Sequence, residues 1–155
     1  MIDHVEVSPT VRLVLAEAAS WIGTPYRHGG SRKGVGCDCL GLVRGIWRSL
    51  YREEPEALPP YAADWAETGG GEPLIEAARR HMREKSVADA APGDLLVFRW
   101  RPGLTAKHLG IMAEDGRFIH AYERHCIMAS ALVPQWRRRL ATVFAFPDLP
   151  EAASI

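Results

Sequence analysis

Three residues have the types from which a nucleophilic site is built: Cys39 in "GVGCDCLGLVRGIW", His108 in "KHLGIM" and His120 in "RFIHAY". A cysteine nucleophile needs a base within hydrogen-bond reach, and the base needs a third group to hold its orientation. Cys39 follows Asp38, a good N-cap residue, and leads into an apolar run, so the pattern predicts it in the first turn of a helix. Unpaired N–H groups and the helix dipole favour an anion there, which can lower a thiol pKa from about 8.5 into the range of about 3.5–7.5. The expectation is an activated thiol on a helix anchored by Val43, Ile46 and Leu50. The structural alternative is a small buried thiol, and for each histidine an ordinary half-buried strand residue. It weakens only when the three are taken together.

The histidines lie in segments with strand character. In "HLGIM" alternation puts His108, Gly110 and Met112 on one face, and in "FIHAY" it does the same for Phe118, His120 and Tyr122. Pairing of the two around Glu114-Asp115-Gly116 would point both imidazoles to the same face and allow a Cys39–His108–His120 relay. Further elements follow from periodicity. "SPTVRLVLAEAASWIG" reads as a helix capped by Ser8, with Pro9 in its first turn, a stripe of Val11, Val14, Leu15, Ala18 and Ile22, and a stop at Gly23. "TPYRHGGSRKGVG" is a loop. The helix from residue 38 or 39 to about 51 has apolar residues on several sides and should be central, with Gly41 and Gly45 admitting close neighbours. "REEPEALPPYAADWAETGGGEP" is a long connection, and "PLIEAARRHMREKS" a third helix with Leu74, Ala77, Ala78 and Met82 on its stripe. Segments at 91–100, 108–113, 116–122, 126–132 and 141–147 give four or five strands. Helices first and strands after predict an α+β domain, helices packed on an antiparallel sheet of about five strands.

The totals fit one soluble domain spanning residues 1–155, with a core from about 8 to 147. Hydrophobic residues make up 47% and charged residues 25%, and 19 basic residues balance 19 acidic ones. That balance gives no reason to expect nucleic acid or an anionic membrane as partner, and no apolar run approaches the roughly 20 residues of a membrane span. "MIDHVEVSPT" has acidic residues and no continuous apolar stretch, so no secretory signal is expected, and synthesis in a reducing cytoplasm is. Three cysteines define no disulfide framework.

"GTPYRHGG", "GCDCLGLV", "PGDLLVF", "HLGIM" and "FIHA", in that order across residues 20 to 122, resemble the NlpC/P60 family of cell-wall cysteine peptidases. The resemblance implies a papain-like fold and cleavage of amide bonds in peptidoglycan stem peptides, commonly after D-glutamate, without a cofactor or metal. By motif it makes Cys39 the nucleophile, His108 the base and His120 the third polar residue. It places Tyr26 of "GTPY" near the oxyanion and gives Asp38 a part in binding the stem peptide. Two positions depart from the family pattern. Leu40 stands where a serine is usual, removing a hydroxyl that helps grip substrate, and Cys37 is extra. The forms "DCLGLV", "GTPYRHGGSRKGVG" and "LVPQWRRRL…FAFP" look more like the phage-type branch, whose members are encoded with tail genes of phages and gene transfer agents. On that branch the expected partners are tail-tip or baseplate proteins, and the place of action is the periplasm and cell wall.

Other assignments compete. Cys37 and Cys39 with His108, His120 or His125 offer zinc ligands, but C-x-C is tighter than the usual C-x₂₋₄-C spacing. A Cys37–Cys39 disulfide would be strained. A wall-binding or structural tail module on the same fold, and a thiol acyltransferase, are the non-hydrolytic options. Among smaller features, "WRRR" at 136–139 reads as a solvated face or a contact for an anionic polymer or tail protein. Trp65 either docks a loop or borders the groove, His28 is a surface residue near the cleft, and His125 and Cys126 receive no role.

Overall fold

The computed structural model describes residues 7–56 and 71–150; Trp65 lies outside them. Helix α1, Pro9–Ser20, begins where the Ser8 hydroxyl accepts from the Val11 N–H at 3.1 Å, with Pro9 in the first turn. Val14 and Ala18 carry its buried stripe, which continues through Trp21. Ile22, expected on that stripe, is 48% exposed because the helix has already ended. Gly23 turns the chain with φ 94°, a value that favours glycine.

The loop after α1 contains a short hairpin, β1 at Ser31–Arg32 and β2 at Gly36–Cys37. Helix α2, Cys39–Tyr51, buries Gly41, Leu42, Val43, Gly45, Ile46 and Trp47, the central helix that its apolar pattern predicts. Its two glycines are contact points. A Cβ at Gly41 would sit 1.8 Å from the Gly30 carbonyl oxygen, and one at Gly45 2.1 Å from the Trp21 ring. The glycine loop and α1 therefore press directly on the α2 backbone.

Helix α3, Pro73–His81, is shorter than the predicted helix to Ser86. Met82 is extended (φ −136°, ψ 159°), and Arg83–Lys85 form strand β3. These residues are good helix formers. Here their intrinsic preference is outweighed by pairing with another strand and by the Glu84 carboxylate, which accepts from the Thr142 hydroxyl at 2.6 Å and from Arg79 at 2.8 Å. A 3₁₀ turn, Val87–Asp89, leads to β4 (Leu95–Phe98), β5 (His108–Met112), β6 (Arg117–Ala121), β7 (Ile127–Ala131), the short helix α4 (Pro134–Arg137) and β8 (Leu140–Ala145). The sheet is antiparallel throughout, in the order β3-β8-β4-β5-β6-β7. It has six strands rather than about five, the added one being β3.

Strand β4 is buried at all four positions, which explains its unbroken apolar run. Leu95 and Val97 face the helices with Leu109, Ile111, Ile119 and Ala121. Leu96 and Phe98 face the other way, into a smaller cluster with Phe118, Leu132 and Val143 that is covered by Trp136 and Leu140. The architecture is α+β, with one sheet face under helices and the other under α4 and the turn after it. The β5–β6 hairpin turns through Asp115 (φ 58°) and Gly116 (φ 67°), the positive angles that two-residue hairpin turns require.

Candidate active site

Asp38 caps α2 as its sequence position predicts. Its Oδ1 accepts from the Gly41 N–H and its Oδ2 from the Gly29 N–H, both at 2.7 Å, and only 4% of the residue is exposed. One carboxylate thus ties the start of α2 to the glycine loop and fixes where Cys39 emerges. His28 Nδ1 stands 3.9 Å from the same Oδ2, on a side chain that is largely open to solvent.

Cys39 is half-buried, and its thiol donates to the carbonyl oxygen of Lys107 at 3.7 Å. The sulfur therefore lies against the peptide immediately before His108. It makes no hydrogen bond to the His108 ring. Its pKa moves opposite to the direction the helix start suggests. Burial, followed by the neighbouring Asp38 carboxylate, pushes it up to about 12, outweighing the N–H groups of Leu109, Leu40 and Cys39 that favour the thiolate. The resting group is a neutral thiol with anion-stabilising donors around it.

Cys37, one residue before the cap, is fully buried and its thiol donates to the Asp38 carbonyl at 3.1 Å. Burial raises its pKa also. It is a core residue turned away from solvent. Among the described residues, no group of three or more His, Cys, Asp or Glu side chains is placed to hold a metal ion.

His108 opens β5, and its side chain lies on the sheet face away from α2, with Phe98 and Phe118. The predicted pairing of the two histidines is present: His108 Nε2 and His120 Nδ1 are 2.9 Å apart. The register places Gly110, not His108, opposite His120, so the rings meet on the diagonal with centroids 5.1 Å apart. His120 is fully buried, and its Nε2 is 2.8 Å from the Ser130 hydroxyl. Burial pushes the imidazole of His108 down to about 3, helped by His120, and that of His120 to about 4. Both rings are neutral at ordinary pH.

Three neighbours of this pair escaped the sequence reading. Trp100 and Trp136 each stack on the His108 ring, with centroids 5.6 Å away, and Trp136 also meets His120 edge-on at 5.3 Å. Of the face read as solvated at 136–139, Arg137 and Arg138 are exposed, whereas Trp136 is half-buried and the Arg139 guanidinium lies over both tryptophans, at 5.1 and 5.4 Å. Ser130 is the third neighbour. Tyr26 sits between two pieces of backbone, its N–H donating to the His125 carbonyl at 3.0 Å and its residue bridging Cys37. Burial, then repulsion from Cys39 once that thiol ionises and from the Asp38 carboxylate, push its phenol up to about 12, so the hydroxyl remains a donor.

An apolar cavity of about 220 Å³, without Cys39 among its lining residues, lies between α2 and α3. It is lined by Leu40, Val43, Trp47, Leu74 and Leu109, with Arg44, Glu56 and Arg80 among its charged residues. Leu40 is half-buried and contributes an apolar wall where its family position usually carries a hydroxyl. Among the described residues, no helix is long and apolar enough to cross a membrane.

Known proteins are similar to this chain in sequence and in fold. The chain is 30% identical over 127 residues to the murein DD-endopeptidase MepS/murein LD-carboxypeptidase of Escherichia coli K12, covering 81% of this chain and 57% of that protein. It is 32% identical over 114 residues to the probable endopeptidase NlpC of the same organism, covering 73% of this chain and 62% of that one. The chain therefore spans about six-tenths of the length of these relatives. Its fold superposes on the NlpC/P60 domain of the peptidoglycan hydrolase SagA with a TM-score of 0.59 and 25% identity, over 88% of this chain and 98% of that domain. The mixed helix-and-sheet arrangement is thus the papain-like one found in those structures. The profile of the NlpC/P60 family matches residues 23–144, the stretch that holds the glycine loop, the start of α2 and both histidines, and the chain belongs to that family.

Proposed function

We propose that this protein is a cysteine endopeptidase that cleaves amide bonds in the stem peptides of peptidoglycan, with residues 1–155 forming one peptidase domain. The observation that carries this is the 2.9 Å contact between His108 Nε2 and His120 Nδ1 on the strand whose preceding carbonyl, Lys107 O, receives the Cys39 thiol. Cys39 is the nucleophile, His108 the base and His120 the group that orients it. The murein-directed names of MepS and SagA support the substrate class.

The proposed reaction starts from the neutral thiol. This step requires the Cys39 sulfur to leave Lys107 O and pass round the start of β5 to His108 Nδ1, the nitrogen not engaged by His120; its proton passes to that nitrogen as sulfur attacks the amide carbon. The Cys39 N–H and the Tyr26 hydroxyl receive the oxyanion. The C–N bond breaks, the amine leaves with the proton held on His108, and a thioester remains. Water, deprotonated by His108, hydrolyses it to a carboxylate and restores the thiol. Asp38 holds the glycine loop that borders the stem peptide, and Leu40 presents an apolar surface to it.

The sequence forms "DCLGLV" and "LVPQWRRRL" support a finer assignment, a peptidase carried on the tail of a phage or gene transfer agent to open the wall of its host, acting in the periplasm with tail-tip or baseplate proteins as partners. Mass spectrometry of purified peptidoglycan digested with wild type and with Cys39→Ala tests the chemistry. New amine and carboxylate termini in the wild-type digest alone are expected. Binding without cleavage would mark a wall-binding module, and transfer of the acyl group to an added amine an acyltransferase.

A further inference from the structure

Resting on the cysteine-peptidase assignment above, we propose that Ser130 is a positioning residue that accepts from His120 Nε2–H and thereby favours the tautomers in which His108 presents an unprotonated Nδ1 to the nucleophile. A neutral imidazole carries one N–H, and which nitrogen holds it is decided by the partner of the other. His120 has a partner at each nitrogen, His108 at Nδ1 and the Ser130 hydroxyl at Nε2. The chain of contacts therefore has only two consistent proton arrangements. If Ser130 accepts from His120 Nε2–H, then His120 Nδ1 accepts from His108 Nε2–H, and His108 Nδ1 keeps a lone pair. If Ser130 donates to His120 Nε2, every proton shifts, His120 Nδ1–H donates to His108 Nε2, and His108 carries its proton on Nδ1. Only the first arrangement takes a proton from a thiol.

The first arrangement also serves both halves of the reaction. When the thiol proton arrives on His108 Nδ1, the ring becomes an imidazolium whose Nε2–H still donates to His120, and His120 still donates to Ser130. No further proton has to move. A hydroxyl at the end of the chain accepts without adding charge, so it leaves the buried pair neutral where a carboxylate would favour its protonation. Placement agrees with this role. Ser130 stands opposite Phe118 on β7, next to the Met128–His120 pair, and reaches His120 on the diagonal of the same sheet face.

Kinetics and NMR on the same set of proteins test it. Site-resolved ¹H–¹⁵N spectra of the wild type should show both histidines protonated at Nε2, and Ser130→Ala should show a mixture of tautomers. On a stem-peptide substrate, Ser130→Ala should lose about tenfold or more in kcat with KM within about twofold, and Ser130→Thr, which keeps the hydroxyl, should recover most of the loss. An Nδ1 proton on His108 in the wild type overturns the inference, as does an unchanged kcat in Ser130→Ala beside an inactive Cys39→Ala. Hydrolysis that survives in Cys39→Ala instead defeats the peptidase assignment, while the spectra still decide the tautomers. The wild-type spectra and Ser130→Thr keep the test intact if Ser130→Ala fails to fold.

Discussion

Gly110 stands opposite His120 in the β5–β6 ladder, and a Cβ there would lie 2.9 Å from the Phe118 ring and 3.4 Å from the His120 Cβ. The absence of a side chain at residue 110 lets the His120 ring sit where His108 reaches it. Gly110→Ala should therefore shift His120 and lower kcat on a stem-peptide substrate by about tenfold or more, with a smaller effect on folding, since positioning errors near 1 Å can cost about 10² in rate. Steady-state kinetics beside urea unfolding separates the two effects, and equal kcat in variant and wild type would refute the spacing role.

Cys39 should alkylate as a half-buried, neutral thiol. With its pKa raised to about 12, the thiolate fraction grows in proportion to hydroxide, so the rate with iodoacetamide should rise about tenfold per pH unit from roughly pH 6 to 9. Peptide mapping distinguishes Cys39 from Cys126, the other half-buried cysteine. A rate that levels off near neutrality would mean a thiolate pre-formed at the helix start.

Tyr26→Phe should reduce kcat by about 10²–10³ with KM less affected, because the hydroxyl is proposed to donate to charge that exists only during reaction. The variant keeps the ring and its packing. Loss confined to KM would instead place Tyr26 in substrate binding.

Acid should destabilise the fold through the histidine pair. Unfolded, both rings take protons as pH falls through 6.5; folded, they resist until about 3 for His108 and about 4 for His120. Their contribution to stability is thus complete above 6.5 and is lost progressively as pH drops from there toward the folded values. Calorimetric Tm should fall between pH 6.5 and 4, and His120→Gln should show a shallower fall, whatever its starting Tm.

Gly41→Ala runs against the ordinary helix rule. In an exposed helix the change would gain about 1 kcal/mol, but here the new Cβ meets the Gly30 carbonyl at 1.8 Å. Overpacking of this kind typically costs about 1–3 kcal/mol, so net destabilisation is expected in urea unfolding, together with displacement of the loop that Asp38 holds.

The sequence reading succeeded where a local rule has one solution. Asp38 before an apolar run specified the start of α2, Asp115-Gly116 specified the hairpin, and alternation put His108 and His120 on one face. It failed where distant parts of the chain decide. Arg83–Lys85 are helix formers drawn into a sheet by β8. Trp100 and Trp136 lie 36 residues apart and converge on His108 only through the fold. The direction of the Cys39 shift depends on how deeply residues 107–109 cover the sulfur, which no helix-start signal contains.

The outermost strand on one side of the sheet reads Arg-Glu-Lys, and Glu84 is already held by Arg79 and Thr142. A second chain adding its own strand beside β3 would have to lie along this row of charges and compete for groups already engaged. That rim resists fibre-like stacking, and a crowded solution of the folded protein gains colloidal protection from the three residues whose sequence alone suggested the tail of a helix.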